Sequence, residues 1–166
     1  MILACALVLA IGTSGALQAQ AANPLSAGAK RTYEVMKGYI TRAAAKMPEE
    51  HYAFKPTLEV RSFGQIVAHI ADSQYLFCSG ASGQKPPASE VEKTKTSKAD
   101  LANALADAFA YCESVHAGMT DAAGSATVKF LTGEMAKLSI LEFNTLAWVS
   151  VGPPGPRRAE NGHYVG

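Results

Sequence analysis

Residues 47–78 read MPEEHYAFKPTLEVRSFGQIVAHIADSQYLFC, and this stretch decides the fold. Its first part contains Pro48 and Pro56, which predict an extended connector and end the helix before it. Ser62 and Gln65 have the spacing of a capping box, which predicts that a helix begins at Ser62. Gly80 is expected to end that helix. Between these limits the apolar residues recur every three or four positions, as one face of a helix requires: Phe63, Ile66, Val67, Ile70 and Phe77.

Three further helices are predicted from the same periodicity. The first spans Ser26–Lys46, the third runs from Ser97 to a frayed end near Gly118, and the fourth spans Gly133–Val151, where a Gly-Pro-Pro step stops it. About 17 residues separate the second helix from the third, which indicates a crossover instead of a tight hairpin. Strict alternation of apolar and polar residues is not found over any useful length. The predicted fold class is therefore all-α, a four-helix bundle.

The composition limits the classes of function. The chain has 166 residues, of which 48% are hydrophobic and 17% are charged, and this excludes an intrinsically disordered protein. The 15 basic and 14 acidic residues leave a net charge of +1. This balance gives no electrostatic footprint for nucleic acid or for an anionic membrane surface, so neither is expected as a partner.

The first 21 residues are predicted to be a signal peptide. Met1–Ile11 is an unbroken apolar run, too short to span a bilayer, and Ala19-Gln20-Ala21 has the small-x-small form of a cleavage site. A buried N-terminal helix is the alternative. The prediction is an exported protein, periplasmic or extracellular and without a stable membrane anchor. Its bundle domain then covers residues 22–152, and a disordered tail rich in Pro, Gly and Arg covers residues 153–166.

The four histidines are the candidate functional residues. His69 lies at the border of the apolar stripe of the second helix, where it is either a metal ligand or a hydrogen-bonded boundary residue. Asp72, three positions on, is expected to face water. His116 points inward near the end of the third helix, and His51 lies in the connector. The sequence has no His-x-x-x-His, Cys-x-x-Cys or Gly-x-Ser-x-Gly motif, so local spacing specifies neither a zinc site nor a serine nucleophile.

With these residues in view, the chain resembles the DinB-like family. The resemblance is carried by residues 47–78, by EKTKTSKADLANALADAFAYC at 92–112 and by KLSILEFN at 137–144. It implies an up-down-down-up bundle with a long crossover between the second and third helices. It also implies a divalent metal, zinc or nickel, held by three histidines. His69 matches the ligand that the family places on the second helix.

The other two family ligands have no counterpart in this sequence. Aligned on Phe143-Asn144, their positions hold Ala147 and Val151, and neither side chain can bind a metal. His163 could restore only one ligand. The composition shifts after Asn144 in the manner of a frame change or a truncated paralogue.

The family resemblance implies metal-dependent hydrolases or transferases, some of them using a small thiol. This chain is therefore interpreted as a member with a degenerate metal site and an unknown small-molecule substrate. The alternative is a working metal-dependent thiol transferase or hydrolase that uses His69 with other histidines.

The family's arrangement also bears on the cysteines. It implies that the second and third helices are parallel, and Cys78 and Cys112 lie 16 and 15 residues after the respective helix starts. They then fall at nearly the same height, which predicts a Cys78–Cys112 disulfide. An antiparallel pair would keep the sulfurs about 18 Å apart along the axis. A homodimer formed through a helix face is also open.

Overall fold

The structure is a computed structural model that describes residues 22–150. The predicted signal peptide (residues 1–21), the predicted tail (153–166) and the candidate ligand positions Val151 and His163 lie outside these residues. The signal peptide, the tail and export therefore stay predictions. Within the described part of the chain, no helix combines the length and the apolar character needed to cross a membrane.

Four long helices form the bundle, as predicted. They are α1 (Pro24–Lys46), α2 (Phe63–Ser82), α4 (Lys98–Gly118) and α6 (Lys137–Ser150). A single 3-10 turn at Glu49–His51 follows α1. The shorter elements are α3 (Val91–Thr94), α5 (Asp121–Gly124), and the strands β1 (Thr127–Phe130) and β2 (Gly133–Ala136).

α1 runs antiparallel to α4. At one end of the pair, the Lys98 ammonium at the start of α4 donates to the carbonyls of Ala45 and Met47, at 3.1 and 2.8 Å, where α1 finishes. At the other end, Tyr33 of α1 stacks on His116 near the end of α4, with ring centroids 4.4 Å apart. The two contacts together show that the helices run in opposite directions.

α2 and α4 run parallel, which confirms the up-down-down-up order and the long crossover. Near their starts, Gly64 lies so close to Leu101 that an added Cβ would be 3.3 Å from the leucine Cδ1. Near their ends, Cys78 and Cys112 have Cα atoms 5.4 Å apart, and their sulfurs lie at disulfide-bonding distance. The pairing agrees with the prediction from helix heights, because both helices begin at the same level.

α6 completes the bundle by packing against α2 in the opposite direction. Asn144 Nδ2 donates to Gln74 Oε1 at 3.0 Å, and both side chains are fully buried. One turn along, the rings of Phe77 and Phe143 lie 5.7 Å apart. The Gln74–Asn144 pair satisfies polar groups that would otherwise destabilise the core, since an unpaired buried amide costs free energy.

The start of α2 was predicted correctly, but its end was not. The Ser62 hydroxyl accepts from the Gln65 amide and the Gln65 side chain accepts from the Ser62 amide, which completes the capping box. The helix continues past Gly80 to Ser82, and the left-handed residue that ends it is Gly83 (φ 75°). Gly80 instead makes room for Phe130, because a Cβ at this position would lie 2.5 Å from two ring carbons.

The prediction of a fourth helix starting at Gly133 was wrong. Residues 127–136 form an antiparallel hairpin in which Thr127 pairs with Ala136 and Phe130 with Gly133, and α6 begins only at Lys137. The turn places Leu131 at φ 50°, a conformation that usually selects glycine. The buried Phe130 ring fixes the hairpin to the bundle by packing 5.3 Å from Phe77.

Candidate functional site

His69 lies on α2 and is half-buried, with 36% of its side chain exposed. Its Nδ1 is 3.4 Å from Oε2 of Glu92 on α3. The other oxygen of that carboxylate, Oε1, accepts a hydrogen bond of 2.7 Å from Nε of Arg61. A histidine, a glutamate and an arginine from three segments thus form one group of polar side chains on the outer side of α2.

Asp72 does not face water, contrary to the prediction. One carboxylate oxygen accepts from the Val91 amide at 2.8 Å and the other accepts from the Glu92 amide at 2.9 Å. These are the first two amides of α3, so Asp72 serves as its N-terminal cap from a different helix. Val91 is buried beside it. The crossover is therefore bound to α2 over the turn that carries His69 and Asp72.

Sequence reasoning missed Glu92 and Arg61 as neighbours of His69. Glu92 is 23 positions from His69 along the chain, so no local spacing could reveal their contact. The only relevant signal was the length of the crossover, which indicated that it returns along α2. Arg61 immediately precedes the N-cap Ser62, and such a residue is exposed and unremarkable in sequence.

The other candidate positions that fall within residues 22–150 do not gather around His69. Ala147 of α6 is half-buried and carries only a methyl group. His51 is exposed in the 3-10 turn. His116 lies about 12 residues further along its helix than His69, measured from the two helix starts, which corresponds to about 18 Å along parallel axes. In residues 22–150, no three His, Cys, Asp or Glu side chains are grouped so that they could hold a metal ion.

The His116 side chain is buried and uncharged at neutral pH. Its ring is 3% exposed and stacks on Tyr33, and its Nε2 has no hydrogen-bond partner within the described residues. Burial, together with the positive charge of Lys30, lowers the pKa of His116 from 6.5 to about 4, against the opposing effect of Glu34 and Glu113. This histidine is a part of the core and takes no part in the group around His69.

The residues that the structure describes, 22–150, do not fit a three-histidine metal centre. Both oxygens of Asp72 accept hydrogen bonds from backbone amides, and Ala147 offers no donor atom. The arrangement instead holds the crossover against α2 and presents polar side chains to solvent.

Comparison with known proteins identifies the domain but supplies no activity. The family model described as the DinB superfamily matches residues 32–146 of the 166-residue chain. This range includes the connector, α2, the crossover, α4 and most of α6. No curated protein and no solved structure matches the chain significantly.

Proposed function

The chain belongs to the DinB superfamily, and from this premise we propose that it is a member that works without a metal centre, as a binding or scaffold bundle. The proposal includes the interpretation of the sequence as a family member with a degenerate metal site. Its small-molecule ligand or partner is not specified by the group around His69.

One observation carries the proposal: the first α6 position at which the family resemblance implies a metal ligand holds Ala147, whose side chain has no donor atom. A metal-ligating histidine usually coordinates through one ring nitrogen while the other donates to a carboxylate, so the contact of His69 with Glu92 does not by itself exclude a metal. Here Nδ1 of His69 lies 3.4 Å from Glu92, which in turn binds Arg61. A partner ligand on α6 is missing, because Ala147 occupies the first ligand position there. A single histidine cannot supply the affinity of a closed zinc or nickel site.

The second support is the way in which the bundle is held together without an ion. The Cys78–Cys112 disulfide joins α2 to α4 in the core, and the buried Gln74–Asn144 pair joins α2 to α6. Asp72 holds the crossover. Covalent and hydrogen-bonded links of this kind hold the helices together without an ion, which suits a rigid module that presents a binding surface.

The test is the metal content of the purified protein and its titration with Zn²⁺ and Ni²⁺, followed by calorimetry. We expect substoichiometric metal after purification, and only weak binding that is the same in the wild type, in His69→Ala and in His51→Ala. His51→Ala is the matched control because it removes an exposed histidine that lies outside the group around His69.

One equivalent of zinc or nickel that is lost in His69→Ala and retained in His51→Ala would overturn the proposal. That result would support the metal site on which the alternative depends, a metal-dependent transferase or hydrolase that uses His69 with other histidines. Export and pairing of two copies stay predictions. N-terminal sequencing of the exported protein checks the first, and light scattering of the purified chain checks the second.

A further inference from the structure

A cavity of about 270 Å³ lies at the end of the bundle where α2 and α4 finish, far from His69. It is open to solvent, and four segments that are distant in sequence line it: the end of α2 with Ser82 and Gln84, the end of α4, α5, and the first residue of α6, Lys137. We infer that this cavity binds a small organic anion, with the anionic group at the Lys137 ammonium. The inference goes beyond the proposed function, because it names a site and a class of ligand that do not depend on the metal question.

Lys137 is an exception among the lysines that are partly buried in residues 22–150. Lys30 is paired with Glu34 and Lys37 with Glu113, while Lys98 donates to two backbone carbonyls of α1. Lys137 has neither a hydrogen bond nor an ion pair from its side chain to any described residue. A partly desolvated ammonium without an acceptor is costly, and an anion would remove that cost.

The local field at Lys137 favours an anion for a second reason. Lys137 is the first residue of the 14-residue helix α6, whose first turn contains no acidic residue. A helix N-terminus carries partial positive charge, so a lysine at this position is unfavourable and a bound anion offsets both charges. None of the residues that line the cavity is acidic, so the protein does not supply that anion itself.

The walls indicate that the ligand is organic and small. The apolar part of the lining is formed by Ala81, Val115, Met119 and Ala123. The hydroxyls of Ser82 and Ser114 already donate to backbone carbonyls within their own helices. The Gln84 side chain is therefore the second donor available beside Lys137. A cavity of this volume lies just below the range of drug-sized sites, which suits a short hydrocarbon chain with one charged end.

The experiment is a titration of the purified protein, followed by ¹⁵N–¹H correlation spectra, with hexanoate, inorganic phosphate and 1-hexanol as probes. Hexanoate is expected to shift the amides of residues 81–84, 114–119, 123 and 137 in a saturable manner, and 1-hexanol, which has the same chain without charge, is expected to leave them unchanged. Saturable shifts of the same amides by phosphate would assign the preferred group to phosphate; shifts by hexanoate alone would assign it to carboxylate.

Lys137→Gln is expected to weaken binding about tenfold or more, the loss of one charge-assisted hydrogen bond. Lys129→Gln is the control, because it removes the same charge from an exposed residue of β1. The inference is overturned if neither anion binds, if 1-hexanol binds as well as hexanoate, or if Lys137→Gln binds as the wild type does. Should Lys137→Gln not fold, the map of shifts in the wild type decides, since shifts centred away from the cavity refute the site.

Discussion

Acidification is expected to destabilise this protein through His116. The His116 ring is 3% exposed and stacked 4.4 Å from Tyr33, and its Nε2 has no partner within the described residues. Burial and the nearby Lys30 ammonium lower its pKa to about 4, although Glu34 and Glu113 act in the opposite direction. Below pH 6.5 the unfolded chain therefore takes up a proton that the folded chain does not accept.

The sign and size of the effect follow from linkage. The folded pKa is below the unfolded one, so the contribution of His116 to stability is complete above pH 6.5 and declines as the pH falls toward 4. A difference between 6.5 and about 4 corresponds to about 3 kcal/mol at the acid limit. At pH 5, where the unfolded histidine is already charged, the loss amounts to about 2 kcal/mol.

The assay is urea unfolding of the wild type and of His116→Phe at pH 7.5 and pH 5. Phenylalanine keeps the ring that stacks on Tyr33 but cannot be protonated. We expect the wild type to lose about 2 kcal/mol more than His116→Phe between the two pH values. The reasoning is refuted if both proteins lose the same free energy, because carboxylates alone would then account for the acid sensitivity. His51→Ala, which alters an exposed histidine, should behave as the wild type.

Three further predictions concern stability and local order. Replacing Cys78 and Cys112 together by alanine should lower the free energy of unfolding by about 4 kcal/mol, since the disulfide closes a loop with a sequence separation of 34; an unchanged urea midpoint would contradict this. Gly80→Ala should lower the free energy of unfolding by about 1–3 kcal/mol, because its Cβ would overlap the ring of the buried Phe130. Gly28→Ala in α1 is the control, since a Cβ there meets no atom within 4 Å. Thermal melts should show it to be stabilised by up to about 1 kcal/mol. Asp72→Ala should cost about 1 kcal/mol, and hydrogen exchange should accelerate at the first two amides of α3 while the core of α4 stays protected.

The helices were predictable because their signals are local. The spacing of Ser62 and Gln65 predicted both hydrogen bonds of the capping box, and Ser97 likewise accepts from the amide of Asp100 at the start of α4. Apolar residues three and four positions apart then identify the buried face without any knowledge of the partner helix. These signals also carried the family resemblance, so the fold class and the family agree with the structure.

The hairpin was not predictable by the same rules. Its strands have four residues each, which is too short for alternation to be recognised, and its turn is Leu131-Thr132 instead of an Asn-Gly or Asp-Gly pair. What stabilises it is the contact of Phe130 with Phe77 and the space left by Gly80. A glycine in a helix is ambiguous in sequence, because the same residue ends a helix in one protein and admits a neighbouring ring in another.

The candidate site divides along the same line. His69 could be identified because the family places a histidine there, but its partners Glu92 and Arg61 come from segments whose positions only the tertiary structure defines. Lys137 could not be identified from the sequence as part of the inferred anion site, since the cavity beside it is lined by four separate segments. A sequence pattern can identify a single candidate residue such as His69. The side chains that contact it are determined by how distant segments pack together.

The disulfide shows when local signals do extend to tertiary structure. Two N-caps, at Ser62 and Ser97, set the starts of α2 and α4, and the fixed rise of a helix converts residue number into height. The parallel direction of the two helices then places Cys78 and Cys112 at the same height, and their Cα atoms, 5.4 Å apart, show that the two residues also face each other. The start of α6 was predicted four residues too early, because residues 133–136 form the second strand of the hairpin. Relative heights along these two helices, α2 and α4, could therefore be calculated from the sequence because a capping residue marks the start of each.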